Sequence, residues 1–267
     1  QAAIDERNIN HVGEARSLGI EIEFSDLEPD KITQIVQGMF GGKINWLSPF
    51  EIEVSDTQLG RFKIELDSSQ IKEAGKKTDI KGDLAQQDIL SSDNSLELTY
   101  MKALSSIANT VVPWEVVTPP LRLTDLPNIY SLVNRMRDAG AKGTRDSLRY
   151  SFGVHLNPET TDVKPDAIVN HLRSFFCLYD WILNVEKPDL ARRLSPHIKH
   201  FPKEYILKIV DPGYKPDLDR LIHDYIDHNP SRNRDLDMLP MFAFLNPSII
   251  EERISDQRVN ARPTYHY

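Results

Sequence analysis

Glutamates recur at alternate positions in this chain. In SLGIEIEFSD, residues 17–26, Glu21 and Glu23 alternate with Ile20, Ile22 and Phe24. Side chains of a strand point to opposite faces in turn, so the apolar residues take one face and the two glutamates the other, about 7 Å apart. Three more strand-like segments carry residues of similar chemistry: LGRFKIELD holds Glu65, WEVVTPPL holds Glu115 and FGVHLNP holds His155. On the polar face of one sheet, four carboxylates and an imidazole would line a single surface. Carboxylates gathered out of water lose hydration and repel one another, so such a set needs counter-charge, and a divalent cation supplies it. Carboxylate oxygens with one histidine suit Mg2+ or Mn2+, whereas structural zinc takes cysteines or several closely spaced histidines. Mg2+ commonly keeps waters and shares its shell with phosphate oxygens, which leads on to a nucleotide. The spacing alone is not decisive, because Glu51 and Glu53 repeat it and read as a solvated face with no role.

The elements that must position these residues are legible in outline. After the strand at 18–24, DKITQIVQGMFGG reads as a short helix capped by Asp30 and ended by Gly41 or Gly42. FEIEVSDTQLGRFKIELD reads as a hairpin with strands at 50–54 and 61–67 around Gly60; Arg61, Lys63, Glu65 and Asp67 share its second strand's polar face. Residues 68–94 are polar and unassigned, and LELTYMKALSSIANTVV reads as a helix before the strand WEVVTPPL, which two prolines end. TDLPNIYSLVNRMRDAG reads as a helix with Thr124 as cap and Gly140 past its end. In RYSFGVHLNP, Tyr150, Phe152, Val154 and Leu156 alternate with Ser151, Gly153, His155 and Asn157. Beyond it PDAIVNHLRSFFCLYDWILN, PDLDRLIHDYIDHNP and the stretch through MFAFLNP read as helices. The expectation is an α+β fold: a largely antiparallel sheet with helices covering its apolar face.

Bulk properties bound the function. The chain has 267 residues, 40% hydrophobic and 27% charged, and reads as one folded domain over 1–267 with both ends cut. A formal charge of −8 argues against a broad nucleic-acid-binding surface. A single cysteine, Cys177, permits no internal disulfide and, in the apolar segment FFCLYDWIL, is expected in the core. No apolar run reaches the roughly 18 residues of a membrane span, so a cytoplasmic location without membrane association is expected. Neither a P-loop nor a dinucleotide-binding glycine motif is present. His197, His200, His223 and His228 lack metal-motif spacing and are expected at exposed helical positions.

The strings LGIEIEF, LGRFKIELDSS, PWEVVTPPL, FGVHLNPE, NPSRNRDLDMLP and RPTYHY, in that order over 17–267, resemble the amidoligase family. This family is related to glutamate-cysteine ligase and glutamine synthetase, whose carboxylate-amine ligase fold also occurs in guanido kinases. The resemblance implies a curved antiparallel half-funnel sheet with helices on its outer face, and ATP with Mg2+ or Mn2+ on its polar face. Carried over by position, the metal ligands are Glu21, Glu23, Glu65, Glu115 and His155. Where some relatives have a second histidine two positions on, this chain has Asn157, suited to holding substrate or metal-bound water. Phosphate oxygens call for guanidinium groups. Arg262 of RPTYHY comes first, followed by Arg232 and Arg234.

The implied reaction activates a carboxylate on the γ-phosphate of ATP as an acyl phosphate, which an amine captures to form an amide or isopeptide bond. Metals neutralise the developing charge, and Glu65 or Glu115 is placed to take the amine's proton. The expected partners are therefore a small-molecule or peptide carboxylate and an amine. A metal-dependent phosphotransferase or hydrolase on the same scaffold, and a binding module without catalysis, are the alternatives, because a fold does not fix a reaction.

Overall fold

A computed structural model describes residues 8–48, 50–66, 114–142, 153–186, 199–256 and 259–267. Asp67 and the helix read over 96–112 lie outside these, as do Tyr150, Phe152 and His197. The chain divides into two compact units: Gly19–Val154, and Gln1–Leu18 with His155–Tyr267.

The first unit is an antiparallel sheet covered by helices. Strands β1 (Leu18–Phe24), β2 (Lys43–Ser48), β3 (Glu51–Thr57), β4 (Gly60–Leu66) and β5 (Trp114–Val117) lie in the order β2-β3-β4-β5-β1. The alternation read from sequence appears directly as burial: Ile20, Ile22, Phe24, Ile52, Val54, Phe62, Ile64 and Val116 are at most 5% exposed. Helix α1 (Pro29–Phe40) covers this face with Ile32, Val36 and Phe40, whose ring stacks on Phe62. Helix α2 (Leu126–Asp138), with Ile129, Leu132 and Met136 buried, packs beside α1.

Asp30 does not cap α1. Pro29, whose fixed φ suits the first helical position, moves the start back so that Glu28 is the N-cap and Asp30 lies in the first turn. Thr124 likewise falls inside a 3-10 turn, Leu123–Asp125, that leads into α2, and Asp125 is the cap. The predicted glycines hold: Gly41 and Gly140 follow the two helices at φ 73° and 108°. In the β3–β4 turn, Gly60 has φ 118°, and a Cβ there would lie 2.9 Å from the Pro119 side chain. Strand β2 escaped sequence reading because KINWLS does not alternate cleanly; it is the strand at the end of the sheet order, and mostly exposed.

The second unit is mostly helical. Helix α3 (Pro165–Glu186), α4 (Lys203–Val210), α5 (Leu218–His228), α6 (Leu239–Leu245) and α7 (Pro247–Arg253) surround a core that includes Leu172, Phe175, Tyr205, Tyr225, Met238 and Phe242. No helix among the described residues is long and apolar enough to cross a membrane. Cys177 is exposed, contrary to expectation. Ile168, Val169, Leu172 and Phe175 form the buried stripe of α3, and Cys177 turns away from it with the exposed Leu178 and Trp181.

Strand β6 (Val154–Pro158) begins at the last residue of the sheet unit, and from His155 onward belongs to the helical one. The C-terminal residues run antiparallel to it. Leu156 and Tyr267 exchange both backbone hydrogen bonds, Tyr265 N donates to Pro158 O, and Thr160 N donates to Pro263 O. The other edge of this tail meets the loop before α6, where Asp237 N donates to His266 O. The burial of β6 is the reverse of what its apolar residues suggest: Leu156 is 39% exposed and Asn157 4%. Hydrogen-bonding partners from the tail enclose the polar side chain.

Candidate functional site

Strand register decides which glutamates meet. Glu23 on β1 is directly opposite Glu115 on β5, Glu115 is opposite Glu65 on β4, and Glu65 is opposite Glu51 on β3. Side chains at such positions have Cβ atoms about 5 Å apart, and like charges there are destabilising. The next row is Glu21, Val117, Lys63 and Glu53. Apart from Val117, these two rows hold six carboxylates and one ammonium, all half-buried.

The compensation visible in this face is uneven. Lys63 Nζ lies 2.7 Å from Glu51 and 3.4 Å from Glu65, which offsets part of the charge at the β3–β4 end. The Glu51 hydrogen bond above all holds the Lys63 pKa above its usual value; burial pulls it down and the Glu65 charge pushes it up. At the other end Gly153 N donates to Glu23 Oε2 at 2.6 Å. Glu53 pairs with the exposed Arg61 at 3.3 Å. Glu51 is therefore no idle solvated residue, as its spacing had suggested. Because β3 pairs with β4 in register, its polar side chains share the face that carries Glu65. The carboxylate oxygens of Glu23, Glu115 and Glu65 are hard donors, the ligand type that Mg2+ or Mn2+ takes.

The second group lies in the helical unit. His155 and Asn157 come from β6, and His266 and Arg262 from the tail. His155 Nδ1 is 3.1 Å from His266 Nε2, His266 Nδ1 is 2.6 Å from Asn157 Oδ1, and Arg262 Nη2 donates to the same oxygen at 2.9 Å. The backbone of Arg262 is tied to Pro240 O. Burial lowers the His266 pKa to about 2, with His155, Arg232 and Arg262 adding to the effect, so its ring stays neutral. Arg232 Nε donates to Asp237 Oδ2 at 2.9 Å, and this carboxylate is wholly buried. Burial outweighs Arg232 and raises the Asp237 pKa.

Arg234 is engaged elsewhere. It bonds Asn229 Oδ1 at 2.7 Å and the carbonyl of His228 at 3.2 Å, closing the C-terminal end of α5. The remaining histidines divide. His223 is exposed on α5 and His228 is half-buried at its last residue. His200 is exposed but lies outside the helices, 2.6 Å from Tyr179 Oη.

Sequence reasoning missed His266 and Asp237. The signal for His266 was in RPTYHY: Tyr265 and Tyr267 alternate with it and turn to α3, where Tyr265 stacks on His171 and Tyr267 approaches Phe175. Asp237 sits in a string that was read only for its arginines.

No curated protein and no solved structure matches the chain significantly. A family model described as "Putative amidoligase enzyme" matches residues 14–267, spanning every element described above. The chain belongs to this amidoligase family.

Proposed function

We propose that the protein is an ATP-dependent carboxylate-amine ligase, forming an amide or isopeptide bond through an acyl phosphate. The observation that carries this reading is the run of facing carboxylates Glu23, Glu115 and Glu65, whose like charges a bound divalent cation would offset. Glu21, Glu23, Glu65, Glu115 and His155 are the proposed ligands for Mg2+ or Mn2+. When bound, such a cation offsets the charge of nucleotide phosphates and holds them in line. Lys63 anchors Glu51 and Glu65 so that their carboxylates keep a fixed orientation. Glu65 or Glu115, whichever is not engaged as a ligand, accepts the proton that the amine loses as it attacks. Arg262 is the proposed phosphate contact, oriented by its bond to Asn157, with Arg232 supporting it; the committed hydrogen bonds of Arg234 make it the least suited of the three. The cytoplasm is the proposed location.

Calorimetry of a non-hydrolysable ATP analogue, with and without Mg2+, tests this reading on the parent, Glu21→Gln and Glu115→Gln. Binding should need Mg2+, and both substitutions should weaken it at least tenfold. ADP release should require a carboxylate and an amine together. ATP turnover with neither present, or nucleotide binding indifferent to Mg2+ and to both substitutions, would overturn it.

A further inference from the structure

Lys63 sits between two carboxylates from neighbouring strands. It precedes Glu65 by two residues on β4 and shares its face, and the β3–β4 register sets Glu51 directly opposite Glu65. Its Nζ is 2.7 Å from Glu51 Oε1 and 3.4 Å from Glu65 Oε2, so one cation serves two carboxylates, as a bridging metal ion does. Arg61, the other cation on this face of β4, pairs elsewhere, with Nη1 3.3 Å from Glu53 Oε2. The side chains of Lys63, Glu51 and Glu65 are 39%, 34% and 29% exposed, so water and its ions reach them. An ammonium donates hydrogen bonds and cannot coordinate a metal. It also repels a divalent cation brought to the same oxygens, and to coordinate Glu51 Oε1 such a cation must displace a charge 2.7 Å away.

We infer that Lys63 is a positioning residue: its tethered ammonium fills the cation position between Glu51 and Glu65, keeps Glu51 out of the metal shell, and ends the proposed metal-binding row at Glu65. The inference rests on the reading of this face as metal-binding and adds the limit of that site. Glu65 is the junction, with Lys63 and Glu51 on one side and Glu115 directly opposite on β5. A bound metal exchanges with solvent, whereas a lysine side chain stays on its strand, so charge at the β3–β4 end is offset at any metal concentration. Glu51 and Glu53 share the spacing of Glu21 and Glu23, and their partners on β4, Lys63 and Arg61, are what separate them from ligands.

Manganese binding to the full chain tests this, with bound ions counted from the electron paramagnetic resonance signal of free Mn2+. Lys63→Met should bind one more Mn2+ per chain than the parent, because a hydrated cation takes the vacated position. Lys63→Arg, which keeps the charge, should bind the parent's number, and adding Glu51→Gln to Lys63→Met should remove the extra ion. Glu51→Gln alone should keep the parent's number of ions and an Mn2+ affinity within about twofold of it. Three results overturn the inference: no extra ion in Lys63→Met, an extra ion that survives the added Glu51→Gln, or loss of a bound ion in Glu51→Gln alone. The last comparison decides even if Lys63→Met does not fold. The parent's own count tests the metal reading instead: a parent that binds no Mn2+ sinks that reading, while an ion gained in Lys63→Met still marks the position that Lys63 fills.

Discussion

Glu65 and Glu115 face each other directly across β4 and β5, and each has another glutamate as its second cross-strand neighbour, Glu51 for Glu65 and Glu23 for Glu115. Glu115 is thus flanked by carboxylates on both sides. Replacing it with glutamine removes a potential ligand charge while keeping the shape of the side chain. Excess Mg2+ or Mn2+ should raise the melting temperature of the parent more than that of Glu115→Gln, because the parent gains binding free energy that the variant lacks. Thermal melts of both proteins in EDTA and in metal measure the two shifts. Equal stabilisation of parent and variant by metal would remove the charge argument.

Lys63 supplies the counter-charge at the other end of the same row. Lys63→Met leaves Glu51 and Glu65 opposed without the ammonium between them, and should cost about 0.5–1 kcal/mol at neutral pH, the range for partly exposed pairs. The pH dependence has a definite sign. The folded-state pKa is raised above 10.5, so the contribution is complete below that value and is lost as pH rises through the folded pKa. The stability gap between parent and variant should therefore be flat from pH 7 to 10 and narrow above it. Urea titrations across that range check this, and a gap that widens at high pH contradicts it.

The contrast between these two glutamate pairs shows what a sequence conveys here. Period-two alternation fixed which residues of β1, β3, β4 and β5 share a polar face, because a strand admits only two faces. It could not supply register, and register is what sets Glu23 against Glu115 and Lys63 between Glu51 and Glu65. Glu51 and Glu53 had the same spacing as Glu21 and Glu23 and were set aside, since spacing carries no information on which strand lies alongside. β2 was missed because an exposed end strand need not alternate. His266 was missed for a different reason: its partners, Asn157 and His155, are more than a hundred positions away in sequence. The longer helices α1, α2, α3 and α5 were legible, since their apolar stripes are local, whereas the short α4 and α7 were not read, and Cys177 shows a further limit. An apolar run says that a helix has a buried face without saying which residues fall outside it.

His171 contributes to the loss of stability in acid. Its ring stacks on Tyr265 at 3.6 Å, and burial, aided by Arg16, lowers its pKa to about 4. The unfolded chain takes up this proton near pH 6.5 while the folded one does not, so stability is full above 6.5 and declines as pH falls towards 4. The loss approaches about 1.4 kcal/mol per pH unit in that window. His171→Phe keeps the stacking and removes the titration, so its stability should vary less between pH 6.5 and 4 than that of the parent. Denaturant midpoints at pH 7, 5.5 and 4.5 measure the difference. Parallel curves for the two proteins would show that His171 is not the group responsible.

Arg232 and Asp237 test whether the tail is held by a buried charge. Asp237 is fully buried; its Oδ2 accepts from Arg232 and its Oδ1 from Leu239 N, while its own N–H holds the carbonyl of His266. Arg232→Met strands that carboxylate without its cation, which should cost about 3–5 kcal/mol at neutral pH. Because burial has already raised the Asp237 pKa and the substitution raises it further, protonation on folding relieves the cost. The variant should therefore recover stability relative to the parent as pH falls from 7 towards 5. Adding Asp237→Asn removes the stranded charge and keeps the oxygen that Leu239 N needs, so the double variant should regain most of the loss and show little of that pH dependence. Urea unfolding of the parent, the single variant and the double variant separates the outcomes. A single variant within about 1 kcal/mol of the parent would mean that the pair contributes no more than an exposed one, and that the seating of His266 depends on the backbone ladder alone.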